Sequence, residues 1–130
     1  MSVRVGIDSV SVESVRAALA DHGDRYLERV YTAAEREACG GDPERLAARF
    51  AAKEAAVKAL RAGGGGIPWT AFEVRRDPSG FVELVLHGAA GQLAADVGVV
   101  DVALSFTHEA GLATAVVVLQ TSPASADGDR

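Results

Sequence analysis

The stretch RFAAKEAAVKAL, residues 49–60, constrains the fold more than any other part of the chain, because it is strongly helical yet has no properly polar face. It contains no glycine or proline, and its Ala, Leu, Lys, Arg and Glu residues are strong helix formers. Just upstream, Asp42-Pro43-Glu44 supplies an N-cap aspartate, a proline at the first helical position and an early acid. The glycine run 63–66 is expected to end the helix. We therefore predict a mostly buried helix at the centre of the fold.

The charged residues of this helix need partners if the helix is buried. The apolar stripe contains Leu46, Phe50, Val57 and Leu60, and the opposite, small-residue side contains Ala48, Ala52, Ala55 and Ala59. Lys53 falls in the middle of the apolar stripe, while Glu54 and Lys58, spaced i and i+4, line one edge of it. Burying such charges costs free energy unless they pair with one another or with a ligand. The pattern fits either a solvated ion pair on an alanine-rich helix or a functional site.

The composition predicts one globular domain, residues 1–120, followed by a disordered tail, residues 121–130. Of the 130 residues, 48% are hydrophobic and 24% are charged. The formal net charge of −5 argues against general nucleic-acid binding, although it allows a local basic patch for an acidic protein partner. The single cysteine, Cys39, cannot form an internal disulfide, which favours the reducing cytoplasm. Asp8 argues against a secretory signal, and no apolar stretch reaches membrane-spanning length.

Periodicity along the chain predicts an α+β fold in which an antiparallel sheet packs around the long central helix. The capping box Thr32-Ala33-Ala34-Glu35 opens one helix, and Asp77-Pro78-Ser79-Gly80 has the chemistry of a hairpin turn. The predicted elements are, in chain order, a strand at Val3–Ile7, helices at about 11–22, 25–30 and 33–40, the central helix, hairpin strands at Ala71–Arg76 and Phe81–Leu86, a helix at Gly88–Val97, and strands at Val99–Phe106 and Leu112–Leu119.

Polar residues at the ends of apolar elements mark where chemistry could occur. Asp8 follows the first strand, Glu54 and Lys58 lie on the central helix, and Thr107-His108 are predicted to end the strand before the last hairpin. Two carboxylates from separate elements suit Mg²⁺, which lets phosphate oxygens and water complete its octahedron. Lys58 and His108 would then neutralise charge on a phosphate. The alternatives are that Asp8 only caps the first helix and that His108 is an ordinary turn histidine.

Together, these motifs resemble the holo-(acyl carrier protein) synthase type of 4′-phosphopantetheinyl transferase. The resemblance covers residues 3 to 120, and its two most specific segments are RFAAKEAAVK, residues 49–58, and LSFTH, residues 104–108. The other matching segments, in order, are Gly6-Ile7-Asp8, YLERVYTAAE at 26–35, Ile67-Pro68-Trp69, Phe72-Glu73-Val74 and Asp77-Pro78-Ser79-Gly80.

The resemblance implies a reaction and a set of site residues. Such enzymes move the 4′-phosphopantetheine arm of coenzyme A to a serine of an apo carrier protein and leave 3′,5′-ADP. Asp8 and Glu54 would hold Mg²⁺ against the pyrophosphate, Lys58 would contact the phosphates, and Glu54 or a water molecule would remove the serine proton. The residues implied to line the coenzyme A site are Arg49, Lys58, Thr107 and His108, with His108 also counted as catalytic. Gly64 and Gly65 are predicted to join them if the glycine run is a backbone cradle for a phosphate, the alternative being a flexible connector. The family is typically a homotrimer with its sites between protomers, and the small-residue side of the central helix is compatible with close packing there.

Some positions depart from the family pattern. Ser11 and Ser14 stand where the family usually has an acid and then an arginine that contacts the acidic carrier. The hairpin turn is followed by Phe81-Val82 rather than by a basic residue and proline, and only Ala62 and glycines separate the central helix from the Ile-Pro-Trp segment. The arginines predicted to supply a basic patch for the carrier instead are Arg16, Arg25 and Arg29.

Two alternatives to an active transferase stay open. One is a non-catalytic relative that keeps the fold and binds coenzyme A or a partner chain. The other is a small structural or interaction domain whose motif residues are caps and surface ions. The joint presence of Asp8, Glu54, Lys58 and His108 favours the enzyme. The resemblance does not distinguish carriers of fatty-acid, polyketide or peptide assembly.

Overall fold

The computed structural model describes residues 1–63 and 66–122, which form five helices and five strands. In chain order the elements are β1 (Ser2–Ser11), α1 (Val12–His22), α2 (Asp24–Val30), α3 (Ala33–Cys39), α4 (Pro43–Leu60), a turn of 3₁₀ helix (Trp69–Ala71), β2 (Phe72–Arg76), β3 (Val82–Leu86), α5 (Gly88–Asp96), β4 (Val99–Glu109) and β5 (Leu112–Thr121). None of these helices is both long and apolar enough to cross a membrane, within the described residues.

The strands form two antiparallel sheets that contact the central helix α4. In the larger sheet β5 lies between β1 and β4, and β2 and β3 form a separate hairpin. The register pairs Asp8 with Ala115 on β5, and Ala115 with Phe106 on β4. One face of the larger sheet packs on α4, while the hairpin contacts α4 through β2 and β4 through β3. The predicted α+β fold with a sheet around the central helix is thereby confirmed.

Helix α4 begins and ends close to where the sequence predicts. Asp42 caps it by accepting a hydrogen bond from the Glu44 N–H, and Pro43 is its first residue. The helix ends at Leu60, before the glycines, because Arg61 takes a left-handed conformation with φ 57°. The small-residue side is buried against the protein's own sheet, so our expectation that it provides close packing between protomers is wrong.

Gly6 sets how closely β1 approaches α4. A methyl group at this position would lie 2.7 Å from the Ala59 nitrogen and closer still to the Ala55 carbonyl oxygen. Only glycine therefore permits this crossing of strand and helix backbones. The close approach also determines where Asp8, two residues further along the same face of β1, meets the helix.

The buried charge of Lys53 has a structural partner. Lys53 Nζ lies 2.7 Å from Glu35 Oε1, and neither side chain has any exposed surface. Lys53 also donates to the carbonyl oxygens of Trp69 and Phe72, and Glu35 accepts backbone N–H bonds from the α3 N-cap and from β2. Burial lowers the pKa of Lys53, and the neighbouring carboxylate of Glu35 only partly offsets this. The pair therefore fastens α3 and β2 to α4 rather than serving a ligand.

Three strands extend further than the sequence predicts. β1 includes Asp8 and continues to Ser11, and β4 continues through Thr107 and His108 to Glu109. The extra length arises because both strands pair with β5 over their whole length, a tertiary effect that local propensity does not carry. β5 reaches Thr121, which was expected to begin the tail, and residues 123–130 lie outside the described part of the chain.

Candidate active site

Asp8, Glu54 and Lys58 converge where β1 crosses the second half of α4. Lys58 Nζ lies 2.8 Å from Asp8 Oδ1 and 3.0 Å from the carbonyl oxygen of Ile7. Glu54 lies one turn before Lys58 on the helix, and the neighbouring Asp8 carboxylate contributes to the raised pKa of Glu54. The structure therefore brings together the three residues that the sequence predicted for metal and phosphate.

Helix α1 is capped by a residue other than Asp8. Ser11 is the N-cap residue, and its hydroxyl oxygen accepts a hydrogen bond from the Ser14 N–H at 3.0 Å. Ser14 Oγ in turn donates to the Ser11 carbonyl oxygen. The alternative interpretation of Asp8 as a helix cap is wrong, because its carboxylate faces α4 instead.

The electrostatics of this cluster favour an additional cation. Partial burial raises the pKa of Glu54, and the adjacent charge of Asp8 raises it further, while Lys58 opposes the shift. The hydrogen bond to Asp8, together with its negative charge, raises the pKa of Lys58, so that this side chain is an ammonium ion at neutral pH. When Asp8 and Glu54 are both ionised, their two negative charges exceed the single positive charge of Lys58. The cluster then has an excess negative charge.

The donors of the cluster fit a hard divalent cation. Two carboxylates and the Ile7 carbonyl supply only oxygen atoms, which Mg²⁺ prefers. Within residues 1–63 and 66–122, no group of three or more His, Cys, Asp or Glu side chains could hold a metal ion by itself. A cation between Asp8 and Glu54 would therefore need oxygens from another molecule, such as the phosphates of a substrate.

Arg49 is a second unusual residue on α4. It is only 4% exposed, and its guanidinium carbon lies 5.8 Å from the centre of the Phe106 ring. Its Nη1 donates to the Arg45 carbonyl oxygen at 3.3 Å, whereas its buried Nε has no hydrogen-bond partner among the described residues. A buried N–H group of this kind lowers stability unless an acceptor reaches it from a ligand or another chain.

Thr107 and His108 lie inside β4 and point to opposite faces of the sheet. His108 Nδ1 lies 3.8 Å from Glu44 Oε2 in the first turn of α4, and both side chains are about half exposed. Glu44 precedes Glu54 by ten residues, which corresponds to about 15 Å along the helix axis. Thr107 lies on the face away from α4, in a shallow depression of about 160 Å³. Within one chain, the predicted residues therefore form separate groups.

The remaining predicted residues lie outside this cluster or outside the described chain. Gly64 and Gly65, predicted to contact coenzyme A, belong to the residues that the structure does not describe. Arg25 and Arg29 are exposed and line, with His22 and Tyr26, a surface depression of about 190 Å³. Arg16 is exposed on α1 and lies 3.8 Å from Glu13, which partly neutralises it.

A polar cluster that the sequence analysis missed surrounds Glu73 on β2. Thr32 Oγ1 and Arg75 Nε donate to its carboxylate at 2.7 and 3.1 Å, and His87 Nε2 lies 2.8 Å away. Burial opposes the ionisation of Glu73, but these hydrogen bonds outweigh it and lower the pKa. The cluster ties the start of α3 and the N-cap of α5 to β2. No local signal in the sequence indicates the contact between His87 and Glu73, because the two residues lie 14 positions apart.

Comparison with known proteins decides the family. Residues 4–117 match the model of the 4′-phosphopantetheinyl transferase superfamily. The chain belongs to this superfamily. A holo-(acyl-carrier-protein) synthase from Koribacter versatilis is 44% identical over 124 residues, which cover 92% of this chain and 99% of the relative. The family predicted from the motifs is thus confirmed.

Solved structures support the same assignment of this phosphopantetheinyl transferase. A complex of the synthase with coenzyme A from Chronobacterium ammoniagenes superposes with a TM-score of 0.83 at 30% identity, covering 94% of this chain and 99% of that one. The Helicobacter pylori synthase with coenzyme A gives a TM-score of 0.81 at 27% identity, covering 89% and 99%.

Proposed function

We propose that this protein is a holo-(acyl-carrier-protein) synthase, which transfers the 4′-phosphopantetheine group of coenzyme A to a serine of an apo acyl carrier protein and releases 3′,5′-ADP. The convergence of Asp8, Glu54 and Lys58 carries the proposal, since phosphoryl transfer depends mainly on positioning and on neutralisation of charge. The substrate class follows from relatives named for this synthase and from related structures that contain coenzyme A.

The three clustered residues have distinct roles in this proposal. Asp8 and Glu54 would hold Mg²⁺, which when bound would neutralise charge on the pyrophosphate of coenzyme A. Lys58 contacts the phosphates and stabilises the negative charge that develops on the leaving oxygen. The serine hydroxyl attacks the phosphorus that carries pantetheine, the P–O bond to 3′,5′-ADP breaks, and the serine proton leaves to Glu54 or to water. In the metal-free chain, burial and the charge of Asp8 raise the pKa of Glu54, and a cation bound to its carboxylate would oppose this shift.

The other predicted residues bind coenzyme A away from the reacting phosphorus. Arg49 has a buried N–H with no acceptor among the residues that the structure describes, and a phosphate oxygen would supply one. His108 would help to neutralise phosphate charge, and Thr107, Gly64 and Gly65 complete the proposed binding set. Since His108 lies beside Glu44 in the first turn of α4, about 15 Å along the helix axis from Glu54, we propose that a complete site takes residues from two copies of the chain.

An uncovered apolar sheet face supports self-association as a homotrimer. On the side of the larger sheet away from α4, Val3, Val5 and Ile7 of β1 are 59–65% exposed. Val5 pairs with Val118 of β5, which is also exposed, so the apolar surface continues across the sheet. A flat, exposed strand face of this kind is typical of an interface. Ile7 directly precedes Asp8 on β1, so strand alternation places this face and the proposed metal ligands on opposite sides of the same sheet.

Introduction of a charge on this face tests the proposed assembly. Val5→Asp is expected to convert a trimer to monomers and to lower transfer activity at least tenfold, because a buried aspartate would have no partner in the interface. Light scattering coupled to size-exclusion chromatography gives the mass, and circular dichroism checks the fold. Phe81→Asp is the control, since Phe81 is 74% exposed beside the hairpin turn and away from the sheet face. Equal masses for Val5→Asp and wild type would exclude this interface.

The transfer reaction itself is tested by intact-mass spectrometry of apo carrier proteins. Incubation with coenzyme A, Mg²⁺ and the protein should add one phosphopantetheine group to the carrier serine, and omission of the protein should abolish this gain. Binding of coenzyme A without transfer would instead support a non-catalytic relative. A panel of purified carriers from fatty-acid, polyketide and peptide pathways would show which is preferred. We propose the cytoplasm as the compartment, which suits the single buried thiol of Cys39.

We propose that the acidic carrier docks on the exposed side of α1 and α2. Arg25 and Arg29 are one helical turn apart on α2, and the depression that they line with Tyr26 offers positive charge beside an aromatic ring. Arg16 on α1 would add a further charge. Ser11 and Ser14 are uncharged and hydrogen-bond to each other at the start of α1. The positive charge for the carrier would therefore come from these arginines.

Reversing the two α2 arginines tests this docking surface. Arg25→Glu/Arg29→Glu is expected to raise the KM for an acidic carrier about tenfold or more, with the KM for coenzyme A unchanged, because rim charges act mainly on encounter. Steady-state kinetics at two salt concentrations measure the effect, which should shrink at high salt. Arg76→Glu, at an exposed position of the hairpin, is the matched control. A carrier KM that stays at the wild-type value would place docking elsewhere.

A further inference from the structure

The ammonium group of Lys58 lies where a cation at Asp8 would lie. It contacts two oxygens, Asp8 Oδ1 at 2.8 Å and the Ile7 carbonyl at 3.0 Å, beside the second carboxylate, Glu54. The Asp8 side chain is only 17% exposed, whereas that of Lys58 is 56% exposed. Within the described part of the chain, Lys58 is the only cationic side chain that forms an ion pair with Asp8.

We propose that Lys58 and the divalent cation compete for Asp8, so that the resting chain binds the metal weakly until coenzyme A draws Lys58 away. This inference rests on the proposed function, because it takes Asp8 and Glu54 as the metal ligands. Lys58 holds one of the two carboxylate oxygens of Asp8, and a divalent cation bound to either oxygen would lie close to the ammonium group, so the two cations repel each other. The exposed, flexible stem of Lys58 lets its ammonium move to another anion without rearranging α4.

The phosphates of coenzyme A provide that anion. Once Lys58 pairs with them, Asp8 is free to bind the metal, and the loss of the Lys58–Asp8 bond is compensated. Coenzyme A and the cation should therefore bind with positive cooperativity, and each should raise the affinity of the other by the same factor. An empty enzyme would thereby avoid holding a metal that has no pyrophosphate to act on.

A simple loss of positive charge must be distinguished from release of Asp8. Lys58→Met removes both the charge and the contact with Asp8 while keeping a long apolar stem. Arg61→Met removes the same charge three residues further on, where the exposed Arg61 side chain has no recorded contact with Asp8. The difference between the two variants isolates the effect of the contact itself.

The experiment measures Mn²⁺ binding by electron paramagnetic resonance in the absence of coenzyme A. Lys58→Met should bind Mn²⁺ about tenfold tighter than wild type, because one charged hydrogen bond no longer competes for Asp8. Arg61→Met should stay within about threefold of wild type, since exposed charges interact weakly. Equal affinities for Lys58→Met and Arg61→Met would overturn the competition while leaving the proposed function intact.

Two further titrations complete the test. Asp8→Asn should abolish tight Mn²⁺ binding in both the wild-type and the Lys58→Met backgrounds. Retained binding there would overturn the metal site, and with it this part of the proposed function. With saturating coenzyme A and a protein-free blank for Mn²⁺ bound by coenzyme A alone, the gain in affinity should be larger in wild type than in Lys58→Met. An equal gain would contradict the role given to the phosphates.

Discussion

Replacing Glu54 with glutamine is expected to lower the rate of phosphopantetheine transfer at least about 100-fold, because a neutral amide is a poor ligand for Mg²⁺ and a poor base. The same change should make the folded chain more stable at neutral pH. Glu54 is partly buried and faces Asp8, so its ionised form is disfavoured in the fold. Glutamine keeps the size of the side chain and removes the repulsion between the two carboxylates. Loss of activity with a gain in stability is typical of a catalytic group and unusual for a structural one.

The pH dependence of stability shows in which direction the melting temperature of Glu54→Gln should change. The pKa of Glu54 is raised in the fold, so the folded state binds its proton more tightly than the unfolded state does. The contribution of protonated Glu54 to the free energy of unfolding is therefore fully present at a pH below the pKa of Glu54 in the unfolded state. It is lost as the pH rises through the higher pKa of Glu54 in the folded state. The melting temperature of Glu54→Gln should exceed that of the metal-free wild type at pH 7, and the gap should close in acid.

Two controls separate this effect from a general one. Glu37→Gln changes an exposed acid on α3 and should leave both activity and the melting temperature near those of wild type. Added Mg²⁺ with coenzyme A should raise the melting temperature of wild type but not that of Glu54→Gln, because ligand binding stabilises only a chain that can bind it. An active Glu54→Gln variant would remove the assignment of Glu54 as a metal ligand.

Local sequence signals predicted most of the fold, because the chain marks its helix ends with standard chemistry. Asp42 with Pro43 and the Thr32–Glu35 capping box formed as expected. The limits of β1 and β4 were missed, since strand length is set by pairing across the sheet, and pairing is a long-range property. The central helix shows the same limit of local sequence information. Its burial followed from its composition, but the partner of Lys53 lies 18 residues away and could not be read from the helix alone.

The candidate site shows where motif reasoning ends. Asp8, Glu54 and Lys58 were predicted to converge, and the structure places them together because β1 crosses α4 closely. His108 and Thr107 were assigned from the motif LSFTH, yet strand alternation sends one toward α4 and the other toward the uncovered face. A motif records which residues serve a site but not which copy of the chain supplies them. The proposed assembly through the apolar sheet face accounts for the position of Thr107, whereas His108 lies on the α4 side of the sheet beside Glu44.

Gly6→Ala is expected to destabilise the protein by about 3 kcal/mol or more, since the added methyl group would clash with helix backbone rather than with a movable side chain. In a chain of this size the melting temperature should fall by roughly 10 °C. Gly40→Ala is the matched control, because Gly40 is in the left-handed helical conformation with φ 58° and open space around it, and it should cost only about 1 kcal/mol. Thermal denaturation with circular dichroism measures both variants.

A second substitution tests the physical reason for this effect. The atoms that would meet the methyl group belong to the backbone at residues 55 and 59, so Ala55→Gly cannot relieve the clash in the Gly6→Ala background. Rescue by Ala55→Gly, or equal costs for Gly6→Ala and Gly40→Ala, would contradict the backbone crossing as the cause. Whatever stability remains, the displaced β1 would carry Asp8 away from Glu54. We therefore expect the folded fraction of Gly6→Ala to lose affinity for Mn²⁺, whereas that of Gly40→Ala keeps it.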